Sequence, residues 1–583
     1  MLARKVFRHC HLVKTGLEST YMNPQSFSGP GVELSEESGL ASIVFDAADR
    51  TPGRPSLGGS EQSELLTCLE VAERVRSLAS ALVEAGVDVG ERVAVLGRTG
   101  LDWVVLDLAV LAIGGVLVPV YPTSSPAQIR HMVDDSGSTR FAAESEFDAG
   151  RLVDAGATMV WSFETVSRWS RSRSRTDPNE RIAAVRRDDL AMIVYTSGTT
   201  GPAKGCMLSH RNMFAAAANT VVRTGDMFGG KGEDQAVTAL GLPLAHVFGQ
   251  TILYATLYGG SATHLLPGIP ETVAALSHIK PTFLALVPYA LEKIRKAARL
   301  HLASGAEEAA VSDGLALLRS GKQASTAVPS QPVLDMLGGR LRSVISGGAS
   351  LDDSTAGFYA GFGVDILNCY GMTESATAVT VNEPQTNRIG TVGRPIPGTT
   401  VAIAPDGEVL VRGSNVTRGY WGAAANRSPV DADGWLYTGD IGELDEGYLR
   451  ITGRKKEILV TSGGKNVAPT PLEDRIRLHP LVSNAIVLGD GRAFVAALIT
   501  LGPAAVGLGD DLVHAELQVA VDDANSLVSR AESIREFRVL TDDFTVDSGL
   551  LTPSLKLKRA SIEARFNTEI ADIYNMASPR TLR

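Results

Sequence analysis

Residues 193–205 read Ile-Val-Tyr-Thr-Ser-Gly-Thr-Thr-Gly-Pro-Ala-Lys-Gly, an apolar run that ends in a loop made almost wholly of small hydroxyl residues and glycines. Such a loop suits phosphate. Gly198 and Gly201 permit close backbone approach, successive N–H groups can form an anion nest, Thr196, Ser197, Thr199 and Thr200 add hydroxyl donors, and Lys204 adds positive charge. The Walker A spacing G-x-x-x-x-G-K-[ST] is absent. Taken alone, the same residues also fit a polar surface turn.

The segment Tyr195-Thr-Ser-Gly-Thr-Thr-Gly-Pro-Ala-Lys-Gly205 closely resembles the phosphate-loop signature of the adenylate-forming superfamily of acyl-CoA synthetases, adenylation domains and luciferases. Further matches follow in that family's order. Ser346-Gly-Gly-Ala349 and Asn368-Cys-Tyr-Gly-Met-Thr-Glu374 are similar to its adenine-pocket and metal motifs. Gly434-Trp-Leu-Tyr-Thr-Gly-Asp440 and Gly453-Arg454 are similar to its ribose-binding and hinge motifs. The resemblance implies ATP, Mg²⁺ and coenzyme A as cofactor and co-substrates, with Ala349, Asn368, Tyr370 and Gly371 in the nucleotide pocket.

Each matched segment also makes sense from its own residues. Gly347 and Gly348 lack side chains, so a flat purine can pack against the backbone there, although an ordinary strand-to-helix turn would look the same. Thr373 offers a hydroxyl to a phosphate, and Glu374 a hard oxygen for a Mg²⁺ shared with ATP; a lone Thr-Glu pair equally opens a helix. Asp440 can accept from both ribose hydroxyls, and otherwise belongs to a plain turn. Arg454 can fork onto ribose or phosphate, with Lys456 at the hinge position that the resemblance implies; a charged surface turn is the alternative.

Two further segments continue the resemblance. Thr461 to Pro471 is similar to the loop that lines the thiol's tunnel after domain rotation, where Gly463 and Gly464 would let the pantetheine arm pass close to backbone. Leu551-Thr-Pro-Ser-Leu-Lys-Leu-Lys-Arg559 resembles the stretch that carries the adenylation lysine, and alignment on Thr552 and Arg559 points to Lys556, with Lys558 as its competitor. Its role is electrostatic, offsetting negative charge as a carboxylate attacks the α-phosphorus. His246, in Leu242-Pro-Leu-Ala-His-Val-Phe-Gly249, is expected to position substrate, because a carboxylate needs no base at neutral pH. The catalytic set is thus Lys556, His246, Thr373 and Glu374.

The implied activity is an AMP-forming acid–thiol ligation of a medium- or long-chain fatty acid. Residues 242–248 and 461–471 look closest to long-chain acyl-CoA synthetases, whereas 300–339 departs from them as a shortened Ser/Ala/Gly-rich segment. An acyl-AMP ligase that loads a carrier protein, an aryl-acid ligase, a non-catalytic nucleotide binder and an ordinary ATPase are the rivals.

These residues need a scaffold. Leu69, Ala72, Val75, Ala79 and Leu82 recur at helical spacing and Gly86 ends the run before the apolar 92–96. Residues 102–113 and 116–120 repeat helix then buried strand, and Ser125-Pro126 opens another helix before a strand near Phe141. This alternation predicts parallel sheets covered by helices. The fold class is therefore α/β: a large domain of parallel-sheet subdomains with a small β-rich part around 401–420, then a small mobile α+β domain. Expected bounds are a poorly ordered extension at 1–40, an adenylating domain at 41–454, and a C-terminal domain at 455–583. Residues 161–187 look like a polar surface break, and 303–332 like a variable surface excursion.

At 583 residues the chain exceeds one ordinary core, which favours two or more domains. A formal charge of −10 argues against a polyanion binder, and no nucleic-acid partner is expected. The four cysteines, Cys10, Cys68, Cys206 and Cys369, form no C-x-x-C pair and fit a cytoplasmic compartment. The apolar stretch 103–121 is interrupted by Asp107, Gly114-Gly115 and Pro119, so no transmembrane segment is expected, while peripheral membrane contact stays open. Arg4, Lys5, Arg8 and Lys14 could mimic an organellar presequence, but a disordered or mis-started N-terminus is the simpler reading, with Met22 an alternative start.

Overall fold

The computed structural model describes residues 26–27, 29–59, 64–172, 176–196, 203–230, 232–321, 330–552 and 556–576. Its first sheet has six strands, in the order Val160–Ser162, Arg140–Ala143, Arg92–Leu96, Val116–Val120, Leu190–Thr196 and Lys204–Ser209. All neighbours are parallel except the last two, which form a hairpin. Every residue of Val116–Val120 is buried, as is almost all of the preceding helix Leu101–Ala112. Burial on both faces is why this stretch reads as one apolar run. Helices over the sheet begin where their caps dictate: Thr67 and Glu70 form a capping box on Cys68–Glu84, and Ser125 and Gln128 do the same on Pro126–Ser136, which ends at the left-handed Gly137.

A second sheet joins Val237–Leu240, Ala262–Leu265 and Pro55–Gly58 in parallel and adds Leu66–Thr67 antiparallel. In a third, Phe283–Leu286, Ser343–Ser346 and Asp365–Tyr370 run parallel, with Ser346 opposite Asn368. That register sets the turn at Gly347 beside Cys369. The fourth sheet is antiparallel throughout and includes Thr399–Ile403, Glu408–Gly413, Leu436–Asp445 and Tyr448–Arg454, with Asp440 directly opposite Arg454. After Arg454 the chain builds its own core around the sheet Val482–Leu488, Val495–Leu501 and Ile534–Leu540 and the helices Pro469–Arg477 and Asp510–Asn525. Among the described residues, no helix is long and apolar enough to cross a membrane.

Three expectations need correction. Residues 29–40 are not a loose extension. Leu34 and Leu40 are buried, Asn219 bonds both the N–H and the carbonyl of Val32, and the Leu40 N–H donates to His210 Nδ1. Their polar composition hid a few apolar anchors spaced too irregularly for a periodic signal.

Within 303–332, residues 306–319 are not a surface excursion either, since they form a helix packed on Asp353–Gly361. A Cβ on Gly314 would lie 1.9 Å from the Gly357 carbonyl oxygen, and one on Gly361 2.4 Å from that of Ala310. The Gly/Ala composition that suggested a loop is what lets two helices touch backbone to backbone. Between 161 and 187 lies a helix, Phe163–Ser170, capped by Ser162, and a shorter one, Asn179–Ala184. Arg181 of the latter donates to the carbonyls of Val87 and Ile113, so part of the charge in this stretch caps helix and turn ends.

Candidate active site

The hairpin Leu190–Thr196/Lys204–Ser209 carries the hydroxyl-and-glycine loop between its strands. Ser197, Gly198, Thr199, Thr200 and Gly201 lie outside the described residues, but both ends of the loop are placed. Thr196 pairs with Lys204, and its hydroxyl donates to the Lys204 carbonyl at 3.5 Å. Behind the mouth, the Tyr195 hydroxyl donates to Asp135 Oδ2 at 2.8 Å and Trp421 Nε1 to the Asp135 carbonyl at 3.0 Å. The Lys204 ammonium sits 4.8 Å from the centroid of the Tyr420 ring, and the Tyr420 hydroxyl donates to Glu374 Oε1 at 2.6 Å. One aromatic residue therefore ties the loop's lysine to the candidate metal-binding carboxylate, which is only 6% exposed.

Glu374 lies on the tight turn Thr373–Ser375, followed by Ala376 and Thr377 at φ +48° and +79°. Two consecutive non-glycine residues in the left-handed region store strain, which the surroundings hold in place. The Thr251 hydroxyl binds the Ala376 carbonyl, and Gly371 packs so closely that a Cβ would stand 1.2 Å from the Thr377 carbonyl oxygen.

Gly347, Gly348 and Ala349 follow directly on Ser343–Ser346, whose last residue lies opposite Asn368. A Cβ on Gly347 would come within 2.6 Å of Cys369 Sγ. The Tyr370 hydroxyl donates to Asp440 Oδ2 at 2.7 Å and Arg454 Nε to Oδ1 at 3.0 Å, while the carboxylate itself is 5% exposed. Burial, then the Asp440 charge, pushes the Tyr370 phenol well above its ordinary range, so it remains a donor. Asp440 thus has a fixed orientation and lone pairs left over for further donors.

His246 caps the helix Val247–Gly259, its Nδ1 accepting from the Phe248 N–H at 3.0 Å. That bond assigns the proton to Nε2. Burial, with the Lys556 ammonium second, lowers its pKa to about 4. The ring is therefore neutral at physiological pH and offers a donor.

Lys556 arrives from the C-terminal region on a short turn closed by Thr552, whose N–H donates to the Lys556 carbonyl while its hydroxyl accepts from the Lys556 N–H. Desolvation and then Arg454 lower the ammonium's pKa; Asp440, Glu457 and Glu374 oppose them. The Lys556 side chain is exposed to solvent although protein surrounds it, and His246 and Tyr370 keep part of their surface accessible. Surrounding protein together with water access marks a concave site. Lys558 instead takes the N-cap position of the helix Arg559–Arg565, its side chain making no cap bond.

The structure thus brings Lys556 within electrostatic range of His246, Glu374, Asp440 and Arg454, with Lys204 joined to Glu374 through Tyr420 and Tyr370 bonded to Asp440, while Thr196 and Thr373 adjoin this set along the chain. It does not bring Gly463 and Gly464 there. Both are exposed in the hairpin Leu459–Val460/Asn466–Val467, whose turn is held by Thr461, Lys465 and Arg492. Lys456 is exposed in the tight turn that follows Arg454. Sequence reasoning missed Tyr420 and Asp135; the aromatic pair Tyr420-Trp421 after Gly419 was the signal available for the first.

Parallel-sheet layers, a hydroxyl–glycine hairpin beside a buried Glu, an Asp–Arg pair and a lysine delivered from a separately cored C-terminal region together define an adenylate-forming enzyme. Comparison with known proteins agrees. The AMP-binding enzyme model matches residues 44–421, and the AMP-binding enzyme C-terminal domain model matches 456–578. The long-chain-fatty-acid–CoA ligase FadD15 of Mycobacterium bovis is 38% identical over 564 residues, covering 88% of this chain and 92% of that protein. Two solved structures share the fold. ATP-bound MatB from Rhodopseudomonas palustris has a TM-score of 0.69 at 23% identity, covering 91% of this chain and 98% of that one. The anthranilate–CoA ligase AuaEII in complex with anthranoyl-AMP has a TM-score of 0.72 at 21% identity, covering 92% and 99%. The chain belongs to the AMP-binding enzyme family.

Proposed function

We propose that the protein is an ATP-dependent acyl-CoA ligase for medium- or long-chain fatty acids. In the first half-reaction a carboxylate oxygen attacks the α-phosphorus of ATP, giving acyl-AMP and releasing pyrophosphate. In the second, the coenzyme A thiol attacks the acyl carbon, the acyl–oxygen bond breaks, and AMP leaves. The name of the FadD15 relative supports the fatty acyl class.

The observation that carries this reading is the presence of Lys556 in the cleft that also holds Asp440 and Glu374. The loop 196–204 grips the β- and γ-phosphates, the 347–349 turn and Tyr370 flank adenine, and Asp440 and Arg454 hold the ribose. Glu374 fits Mg²⁺, because it is a hard, oriented carboxylate beside the loop's lysine; the ion would neutralise phosphate charge, with Thr373 contacting the same phosphates. The Nε2–H of His246 orients the fatty carboxylate. Lys556 offsets the charge that develops at the α-phosphoryl group. Lys456 is the hinge about which the smaller domain turns to bring Gly463 and Gly464 to the thiol.

Pyrophosphate release across short, aryl, medium- and long-chain acids is the direct measurement, with long-chain acids expected to be fastest and coenzyme A preferred over a phosphopantetheinylated carrier. Lys556→Ala is expected to reduce acyl-AMP formation by about 100-fold or more, yet to leave thioester formation from supplied acyl-AMP largely intact. The reading fails if no acid yields an AMP-linked product, or if both half-reactions fall together.

A further inference from the structure

The helix that starts at His246 runs from the cleft into the main hydrophobic core, with Val247, Phe248, Ile252 and Leu253 all buried there. Under the ligase reading, a fatty carboxylate held between His246 and Lys556 leads its chain into apolar surroundings, and this helix is the element that continues from His246 into the buried core. Gln250 stands on it one turn deeper. Its N–H donates to the His246 carbonyl at 3.3 Å, which sets the two residues about 6 Å apart along the axis on neighbouring positions of one face.

Gln250 is 0% exposed, and neither Nε2 nor Oε1 has a hydrogen-bond partner among the described residues. Folded proteins almost always pair a buried amide, and a plain aliphatic wall is better served by Leu or Met. The next turn is polar as well. Tyr254 donates to Asp107 Oδ2 at 2.7 Å, while Asp107 Oδ1 and Trp103 Nε1 are buried without partners. A primary amide with both ends free presents one donor and one acceptor side by side, which a hydroxyl satisfies at both atoms and a carbonyl at the donor.

We propose that Gln250 is a specificity-determining residue that selects fatty acids bearing an oxygen, a hydroxyl or keto group, on the part of the chain nearest the carboxylate. This inference rests on the acyl-CoA ligase reading above. Sites built to hydrogen-bond a substrate hydroxyl discriminate strongly against the analogue that lacks it, because their own polar groups are then left unpaired.

The experiment compares kcat/KM for 3-hydroxy and unsubstituted acids of equal chain length. The native enzyme is expected to favour the hydroxy acid by about tenfold or more. Gln250→Met, which keeps the length of the side chain, is expected to abolish that preference mainly by accelerating the unsubstituted acid; Gln250→Leu serves as a second variant, and thermal unfolding checks that each folds. A native enzyme that handles the unsubstituted acid as well as the hydroxy acid overturns the proposal without recourse to any variant. So does an equal loss on both acids in folded Gln250→Met, which would mark the residue as structural. If the native enzyme makes no acyl-AMP from any acid, the ligase reading itself has failed, and this inference falls with it.

Discussion

Arg475, on the helix Pro469–Arg477, places Nη1 3.0 and 3.1 Å from the two oxygens of Asp352, and the neighbouring Asp474 accepts from the Ser350 hydroxyl. Ser350 and Asp352 follow directly on the Gly347–Ala349 turn proposed to flank adenine. The nucleotide turn is therefore fastened to the C-terminal region in the orientation that presents Lys556. Under the proposed mechanism this clamp has to open before Gly463 and Gly464 can reach the thiol. The side chains of Arg475 and Asp352 are 22% and 11% exposed, and removing one partner of a truly buried pair costs about 3–5 kcal/mol. In Arg475→Ala, however, Asp352 keeps the Ser354 N–H at 2.8 Å, so it is not stranded. Lys296 also continues to hold the carbonyls of Arg477 and His479. A loss of about 1–2 kcal/mol, or about 5–30-fold in the balance between orientations, is the resulting expectation. Rapid-quench measurement of acyl-AMP formation should show a slowing within that range, with thioester formation from supplied acyl-AMP unchanged or faster. Arg475→Lys, which restores charge without the planar fork, should recover only part of the loss. Equal slowing of both half-reactions at unchanged thermal stability would refute the clamp.

Lowering of the Lys556 pKa by desolvation and Arg454 implies that the group loses its proton below the ordinary lysine value of 10.5. The rate of acyl-AMP formation should accordingly fall on an alkaline limb below that value, and Lys556→Arg should displace the limb upward; a limb unmoved by the substitution would assign it to another group. Gly371→Ala must displace the Thr377 carbonyl and with it the Thr373–Ser375 turn, so adenylation should drop while stability falls by about 1–3 kcal/mol, as read by denaturant unfolding and pyrophosphate release. Gly150→Ala, inside the helix Glu146–Asp154 with nothing within 4 Å of the new Cβ, should instead gain about 0.5–1 kcal/mol.

Which of these features the sequence discloses depends on how local their physics is. The 196–204 loop, the 346–349 turn and the 368–374 segment are legible as candidate sites because the residues proposed to act together are neighbours in the chain. The helices at 68 and 126 are legible for the same reason, since a capping box is a contact between residues three apart. Composition misleads where identical residues serve opposite ends: the Ser/Ala/Gly text of 303–332 predicts an excursion, yet Gly314, Gly357 and Gly361 are small because two helices meet there. Residues 29–40 were hidden for a related reason, their anchors on Asn219 and His210 lying far along the chain.

His246 shows the limit most clearly, because the sequence predicts only a substrate-positioning side chain and gives no sign of the helix cap that the structure shows. The same ring that caps a buried helix through Nδ1 keeps Nε2 as a donor, so the structural bond sets the tautomer available for chemistry. A single hydrogen bond thereby links local helix formation, the protonation state of the ring and the direction in which its remaining donor can act. The clamp extends that logic over distance. Asp352 caps the helix Asp353–Gly361 through the Ser354 N–H and grips Arg475 with the same carboxylate, so the residue that starts a helix beside the nucleotide turn also reports the orientation of the C-terminal region. If, as proposed, the 347–349 turn takes the nucleotide, then whatever factor clamp closure adds to nucleotide affinity, nucleotide binding adds to clamp closure, because coupling between two equilibria is reciprocal.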